Sequence, residues 1–277
     1  MRTEQTKSDK AIYCPQLGRQ DSLGEMRDWY ENVDREMDCD HLCVDEKAYF
    51  RDYYAEAGLL RKWRKPFFNE HFVNSFREAS EFLLHREDPV ILDLGCGTGT
   101  QSLYFALRGA RVLALDLDRM ALQIMRKRLI FYEQLTGRNL KVTFLERNAC
   151  EFDFKSVGPI DSIYSMFAFN IMQPTEQLLD QLIRAVAPGG RFAVIDGSSS
   201  CWLPRLFPHR RRGVQSPQEL RTSLEQRGFR TVRHKGAIVF PPIAWAVVPS
   251  HILRPIDLIL RTSWLAALSH QILAQRD

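Results

Sequence analysis

No run of about 18 apolar residues occurs anywhere in this chain, so the sequence offers no membrane-spanning helix of ordinary length. Met1 to Lys10 is polar and charged and lacks the apolar core of a secretory signal. A cytoplasmic protein is the expectation, with peripheral contact to a membrane as its alternative. Regular cysteine spacing is also missing: the six cysteines, at 14, 39, 43, 96, 150 and 201, form no disulfide framework and read as free thiols in a reducing compartment. Strong charge of one sign is absent, since a net charge of +4 is not that of a general nucleic-acid binder, and no nucleic-acid partner is expected. Cys39-Asp-His41-Leu-Cys43 carries thiolate and imidazole chemistry suited to zinc but lacks a second ligand pair, so no metal site is expected.

What the sequence does hold is centred on Val90 to Thr100. Val90, Ile91 and Leu92 form the short apolar run of a strand buried on both faces, closed by Asp93. Gly95, Gly97 and Gly99 follow, placing a turn without Cβ atoms before a helix at Gln101 to Leu107, where a ligand can approach the backbone. A second apolar run, Val112 to Leu115, ends in Asp116, 21 positions after Gly95, the spacing at which a βαβ unit presents an acid to ribose hydroxyls. The loop is Gly-x-Gly-x-Gly, not the Gly-x-Gly-x-x-Gly of dinucleotide sites, which weighs against NAD. With 277 residues, 45% of them hydrophobic, one domain with additions accounts for the core.

These residues resemble the first motif of the class I S-adenosylmethionine (SAM) dependent methyltransferases: Asp93, Gly95, Gly97 and Gly99, then Asp116 at the ribose position. Further motifs appear in the family's order, with Asn148-Ala149 at the adenine position, Asp161 to Met166 as the fourth strand and Pro188-Gly189-Gly190 before the fifth. The resemblance covers Asp88 to Phe240 and is nearest to a small-molecule branch that includes quinone-biosynthesis enzymes. It implies an α/β, Rossmann-like sheet of seven strands, mostly parallel, with helices on both faces. It implies SAM as cofactor, held by Asp93, Gly95, Cys96, Gly97, Gly99, Asp116, Leu117, Asn148, Ala149 and Ser165. Residues 1–87 are expected as a helical extension or lid, and 88–277 as the SAM-binding domain with an apolar insertion at 241–269.

Apolar and aromatic residues at helical spacing fill Asp21 to Leu84: Tyr49, Phe50, Tyr53 and Tyr54, then Phe68, Phe72, Phe76, Ala79 and Leu83. In the resembled family helices here cover the cofactor pocket, which makes Tyr53, Tyr54, Phe72 and Asn74 candidate substrate residues, with Phe169 from the fourth-strand loop. That loop departs from the family: Ser165-Met166-Phe167-Ala168-Phe169-Asn170 stands where a glutamate and a histidine are usual. Asn170 can hydrogen-bond a substrate but takes no proton at neutral pH, so His71 and His209 become the candidate proton acceptors. Two basic runs, Arg61-Lys62-Trp63-Arg64-Lys65 and His209-Arg210-Arg211-Arg212, suit an acid group on the substrate or a solvated face.

Between the last two strands the family has a short hairpin, whereas this chain has Pro241 to Ser269, rich in isoleucine, leucine, valine and tryptophan. Prolines at 241, 242, 249 and 255 exclude one long helix there. A lid over the pocket is the preferred reading, and an apolar face for a membrane or a second subunit the alternative. The expected reaction is methyl transfer from SAM to a small, largely hydrophobic acceptor, most simply at oxygen, with positioning supplying roughly 7 to 11 kcal/mol. Alternatives kept open are nitrogen, carbon or thiol and metalloid acceptors, aminopropyl transfer, NAD-linked chemistry, and a silent scaffold on the same fold.

Overall fold

The computed structural model describes residues 11–19, 21–57, 67, 69–198, 216–261 and 267–277. Helix α1 (Leu23–Glu36) starts at a capping box: Ser22 Oγ accepts from the Glu25 amide, and the Glu25 carboxylate accepts from the Ser22 amide. Its buried residues Met26, Trp29, Tyr30 and Val33 follow the helical repeat. Helix α2 (Val44–Ala57), a π-helical turn (Asn69–Val73) and α3 (Asn74–Leu83) are further described elements of the region expected to be helical.

The sheet then begins with β1 (Val90–Leu94), followed by α4 (Thr100–Leu107), β2 (Arg111–Asp116), α5 (Arg119–Thr136) and β3 (Val142–Glu146). Asp118 caps α5, accepting from the Met120 and Ala121 amides, and Gly137 ends it in the left-handed region. Next come β4 (Ile160–Met166), α6 (Thr175–Ala185), β5 (Val186–Gly197), α7 (Pro217–Glu225) and β6 (Phe229–Ile238). The insertion forms two short helices, α8 (Pro242–Val247) and α9 (Ser250–Leu260), before β7 (Ser269–Arg276). β7 runs for eight residues because it pairs along its length with both β5 and β6.

The seven strands lie in the order β3-β2-β1-β4-β5-β7-β6, with β7 antiparallel to both neighbours and the other pairings parallel. Alternation along the strands separates two cores. Ile91, Val112 and Ala114 join α1, α3, α4 and α5 in one, while Leu92, Leu94, Leu113 and Leu115 join α6 and α7 in the other. The helices before β1 are therefore part of the first core. Order reverses between β1 and β4, the switch point at which open α/β sheets bind ligands outside the carboxyl ends of the strands. No described helix is long and apolar enough to cross a membrane.

Candidate functional site

At that switch point lies a cavity of about 780 Å³, within the size range of small-molecule and cofactor sites. One side is the loop after β1. Asp93, Gly95, Cys96 and Gly97 line it, and across from them stand Leu115, Asp116, Leu117 and Asp118 from the end of β2. Arg147, Asn148 and Ala149 follow from the end of β3. The other side is apolar and aromatic: Tyr30 from α1, Tyr53 and Tyr54 from α2, Phe72 from the π turn, and Tyr164, Met166, Phe167, Ile171 and Met172 from β4 and its loop.

The loop is built to be approached closely. Gly97 has φ +52°, and a Cβ there would fall 2.0 Å from the Tyr53 hydroxyl oxygen. Its amide donates to Asp116 Oδ2 at 2.7 Å, and the Asp118 amide donates to Oδ1 at 2.9 Å, so the acid is held at the rim with lone pairs to spare. Gly99 serves another purpose. It caps α4 in the left-handed region, and a Cβ there would fall 2.3 Å from Met125 Cγ on α5; it does not line the cavity.

Asp93 is buried, and its Oδ2 accepts from Ser102 Oγ at 2.5 Å. Burial pushes its carboxyl up to about 7; the Ser102 hydroxyl counters this and the charge of Asp116 adds to it. Cys96 is also buried, and burial with the nearby Asp93 and Asp116 holds its thiol well above the usual range, so it is not a thiolate nucleophile. Tyr53 is raised likewise, chiefly by burial, and stays a neutral phenol.

The loop is tied to the helices that precede the sheet. Tyr54 Oη lies 2.9 Å from Thr98 Oγ1 and 2.5 Å from Thr100 Oγ1. Arg128 on α5, wholly buried, donates to the Thr98 carbonyl at 2.6 Å and to Thr100 Oγ1 at 3.0 Å. Its other nitrogens form a bidentate pair with Glu36 at 2.6 and 2.8 Å, and Tyr132 Oη donates to the same carboxylate at 2.7 Å. Burial works to raise the Glu36 carboxyl, but Arg128, with the nearby His41 and hydrogen bonds from Arg128 and Tyr132, outweighs it and holds the group at about 2.

Several candidate residues lie elsewhere. His71 does not line the cavity: it is buried, its Nδ1 lies 2.9 Å from the Ala237 carbonyl, and its ring packs edge-on against Trp245. Burial, with Arg261 beside it, lowers His71 to about 3, so it stays neutral. Asn170 donates its backbone amide to Asp196 and its side-chain amide to the Gly197 carbonyl, and Phe169 packs against Phe192 in the second core. Ser165 donates to the Leu94 carbonyl on the face opposite Asp93. Asn74 is not among the lining residues. His209, its arginine run, Arg61 to Lys65, Phe68 and Cys201 lie outside the described residues.

Lining residues that spacing did not single out are Tyr30, Gln101, Arg147, Tyr164, Met166, Phe167, Ile171, Met172 and Gln173. Strand parity could have found two of them. Asp93 pairs with Tyr164 across β1 and β4, so the cavity side of β4 carries Tyr164 and Met166, one residue out of step with Ser165. Phe167 adopts φ +56°, a strained conformation for a bulky residue, at the turn where β4 enters the cavity wall. Among the described residues, no histidine lines the cavity, and no group of three His, Cys, Asp or Glu could hold a metal ion.

Residues 91–190 match a family described as Methyltransferase domain. The demethylmenaquinone methyltransferase of Thermus thermophilus is 34% identical over 122 residues, covering 43% of this chain and 52% of that protein. The chain thus spans about half the length of this curated relative. The structure is similar to a SAM-dependent methyltransferase from Aquifex aeolicus, with TM-score 0.51, 19% identity, and 78% of this chain and 96% of that one covered. It is also similar to magnesium protoporphyrin IX methyltransferase from Synechocystis with bound SAM, with TM-score 0.51, 16% identity, and 85% and 99% covered.

Proposed function

We propose that this chain, a class I SAM-dependent methyltransferase by its matching domain and its fold, methylates a small, largely hydrophobic acceptor at oxygen. The observation that carries this reading is the two-sided cavity. A glycine loop and two strand-end acids form one side, and aromatic and aliphatic side chains form the other. The residues present fit SAM: Gly97 leaves the loop without a Cβ beside Tyr53, and Asp116 keeps acceptor capacity for ribose hydroxyls. Asn148 and Ala149 also line the cavity, and this reading assigns them to the adenine. When bound, SAM supplies a methyl group carried on a cationic sulfonium.

The chain's own residues then have three tasks. Asp93 and Asp116 give the cavity negative charge that favours a cationic ligand. Tyr30, Tyr53, Tyr54, Phe72 and Tyr164 present rings that exclude water, and a ring face toward a cation contributes about 0.5–2 kcal/mol. Phe72, Met166, Phe167 and Ile171 hold the apolar body of the acceptor and so align its oxygen, which is where most of the rate enhancement arises. Neither His71 nor Asn170 is among the described lining residues, so the described wall offers positioning without them, and an acceptor oxygen that ionises readily, such as a phenol, enol or carboxylic acid, suits it. Arg147 is the cation among the described lining residues that an acid group would meet. The Thermus relative is named for demethylmenaquinone, an apolar quinone, which supports the hydrophobic character of the acceptor.

Isothermal titration with S-adenosylhomocysteine, with NAD for comparison, tests the pocket. Binding of the first and not the second is expected, and Asp116→Ala should weaken it by about tenfold or more. Transfer of labelled methyl from SAM to hydrophobic phenols and acids then tests the acceptor class. Binding of NAD alone, or S-adenosylhomocysteine affinity untouched by Asp116→Ala, sinks the assignment.

A further inference from the structure

The turn between β4 and α6 supplies much of the apolar cavity wall, and its residues divide by task. Phe167, Ala168, Ile171, Met172 and Gln173 line the cavity, whereas Phe169 and Asn170 between them do not. Those two are its anchors. Phe169 packs against Phe192 of β5, with ring centroids 5.7 Å apart. Asn170 is tied to the end of the same strand: its backbone amide donates to Asp196 Oδ2 at 2.8 Å, and its side-chain amide donates to the Gly197 carbonyl at 3.0 Å. Asp196 Oδ1 accepts from the Gly197 amide at 2.8 Å, so both carboxylate oxygens are engaged by backbone N–H groups. Asp196 and Asn170 are both buried.

The turn needs such a tie. Its 3-10 segment (Phe169–Ile171) is three residues long, with the Ile171 and Met172 amides donating to the Ala168 and Phe169 carbonyls at 3.3 and 3.1 Å. So short a segment does not stand alone. Phe167 holds φ +56°, a conformation that persists only where the surroundings over-determine it, and Ile171 is 80% exposed and gains little from packing. Hydrogen bonds to a buried carboxylate supply what packing does not.

We propose that Asp196 is a positioning residue for the methyl acceptor: through Asn170 it sets the conformation of the turn, and so the shape of the acceptor side of the cavity. The proposal rests on the division of the cavity into a cofactor side and an acceptor side given above. The cofactor side has ties of its own, from Asp116 to the Gly97 amide, from Tyr54 to Thr98 and Thr100, and from Arg128 to the Thr98 carbonyl. The two sides meet at Gly95, where a Cβ would fall 2.3 Å from Ala168 Cβ. A loosened turn should therefore cost the acceptor much and the cofactor little.

The test uses the full chain with Asp196→Asn and Asn170→Ala. The first is close in shape but turns an amide N–H toward a backbone N–H where a carboxylate oxygen accepted; the second removes only the side-chain bond to Gly197 and carries the test if the first does not fold. Three quantities are measured: hydrogen exchange of residues 167–173, S-adenosylhomocysteine affinity by isothermal titration, and affinity for 2-naphthol, by its own fluorescence, with S-adenosylhomocysteine saturating. Asp196→Asn should speed exchange and weaken 2-naphthol by about tenfold or more each, with S-adenosylhomocysteine changed by about threefold at most. Asn170→Ala should show the same pattern at about threefold for exchange and 2-naphthol. Unchanged exchange, unchanged 2-naphthol affinity, or equal loss of both ligands in the variants overturns the proposal alone. A wild-type chain that binds S-adenosylhomocysteine but not 2-naphthol overturns it together with the apolar acceptor, and one that binds neither overturns the reading of the cavity as well.

Discussion

Asp93 is the side chain whose protonation the site leaves most finely balanced. Burial first, and then the charge of Asp116, carry its carboxyl to about 7, against an ordinary value of 3.8. Because the folded chain holds this proton longer than the unfolded one, the ligand-free protein loses stability as pH rises from the ordinary carboxylate range through about 7. A cationic ligand in the cavity reverses the preference. It favours the ionised carboxyl, so the group titrates lower in the complex and binding releases a proton. Affinity for SAM should accordingly rise with pH up to about 7 and level off above it, and titrations in buffers of different ionisation enthalpy should show the released proton. Replacing Asp93 by Asn should flatten that profile; a wild-type profile already flat would remove Asp93 from the cofactor's charge balance.

Among elements, the most consequential connection is between α1 and the loop after β1, carried by Arg128 on α5. Glu36 and the Thr98 carbonyl share this one guanidinium, and its plane lies over the Phe50 ring, 4.8 Å from the ring centre. Removing one partner of a buried ion pair strands the other. Arg128→Met should therefore lower stability by about 3–5 kcal/mol in urea unfolding, and adding Glu36→Leu should recover a large part of that. A single variant within about 1 kcal/mol of wild type would show the pair to be energetically idle. The Glu36 contribution is present above the unfolded carboxyl range and is lost as pH falls through it toward about 2, because the folded pKa is depressed.

This element also shows where the sequence is legible and where it is not. The glycine loop and Asp116 are visible because each rests on spacing within one βαβ unit, and the seven-stranded sheet follows from the family resemblance. Arg128 sits in Met125-Arg-Lys-Arg128 and reads as solvated, since its partner is 92 positions away and only the fold brings them together. His71 and Phe72 are adjacent in a π turn, where neither period of a strand nor of a regular helix applies, so nothing in the pattern says which one faces the cavity. The insertion's apolar composition is plain in the sequence. Its orientation is not, because Asp257 is buried and the isoleucines are outside.

For the molecule as a whole, the first core decides how the parts behave together. Trp29 and Tyr30 of α1, Phe50 of α2 and Phe76 of α3 pack with Leu103, Phe105 and Tyr132 in one cluster, so the described helices before β1 share their core with the helices of the sheet. We therefore expect the helices before β1 and the sheet to unfold as one unit. Tryptophan fluorescence, to which buried Trp29 contributes from its place against Tyr104 and Tyr132, should change at the same urea concentration as helical circular dichroism. Ligand sharpens the test. S-adenosylhomocysteine at a hundredfold its dissociation constant should add about 2.7 kcal/mol of stability, and it should move both signals together because the loop it would contact is bonded to α1 through Arg128 and to α2 through Tyr54. If residues 1–87 were instead a separately folding lid, the fluorescence change would come first and stay where it was when ligand is added.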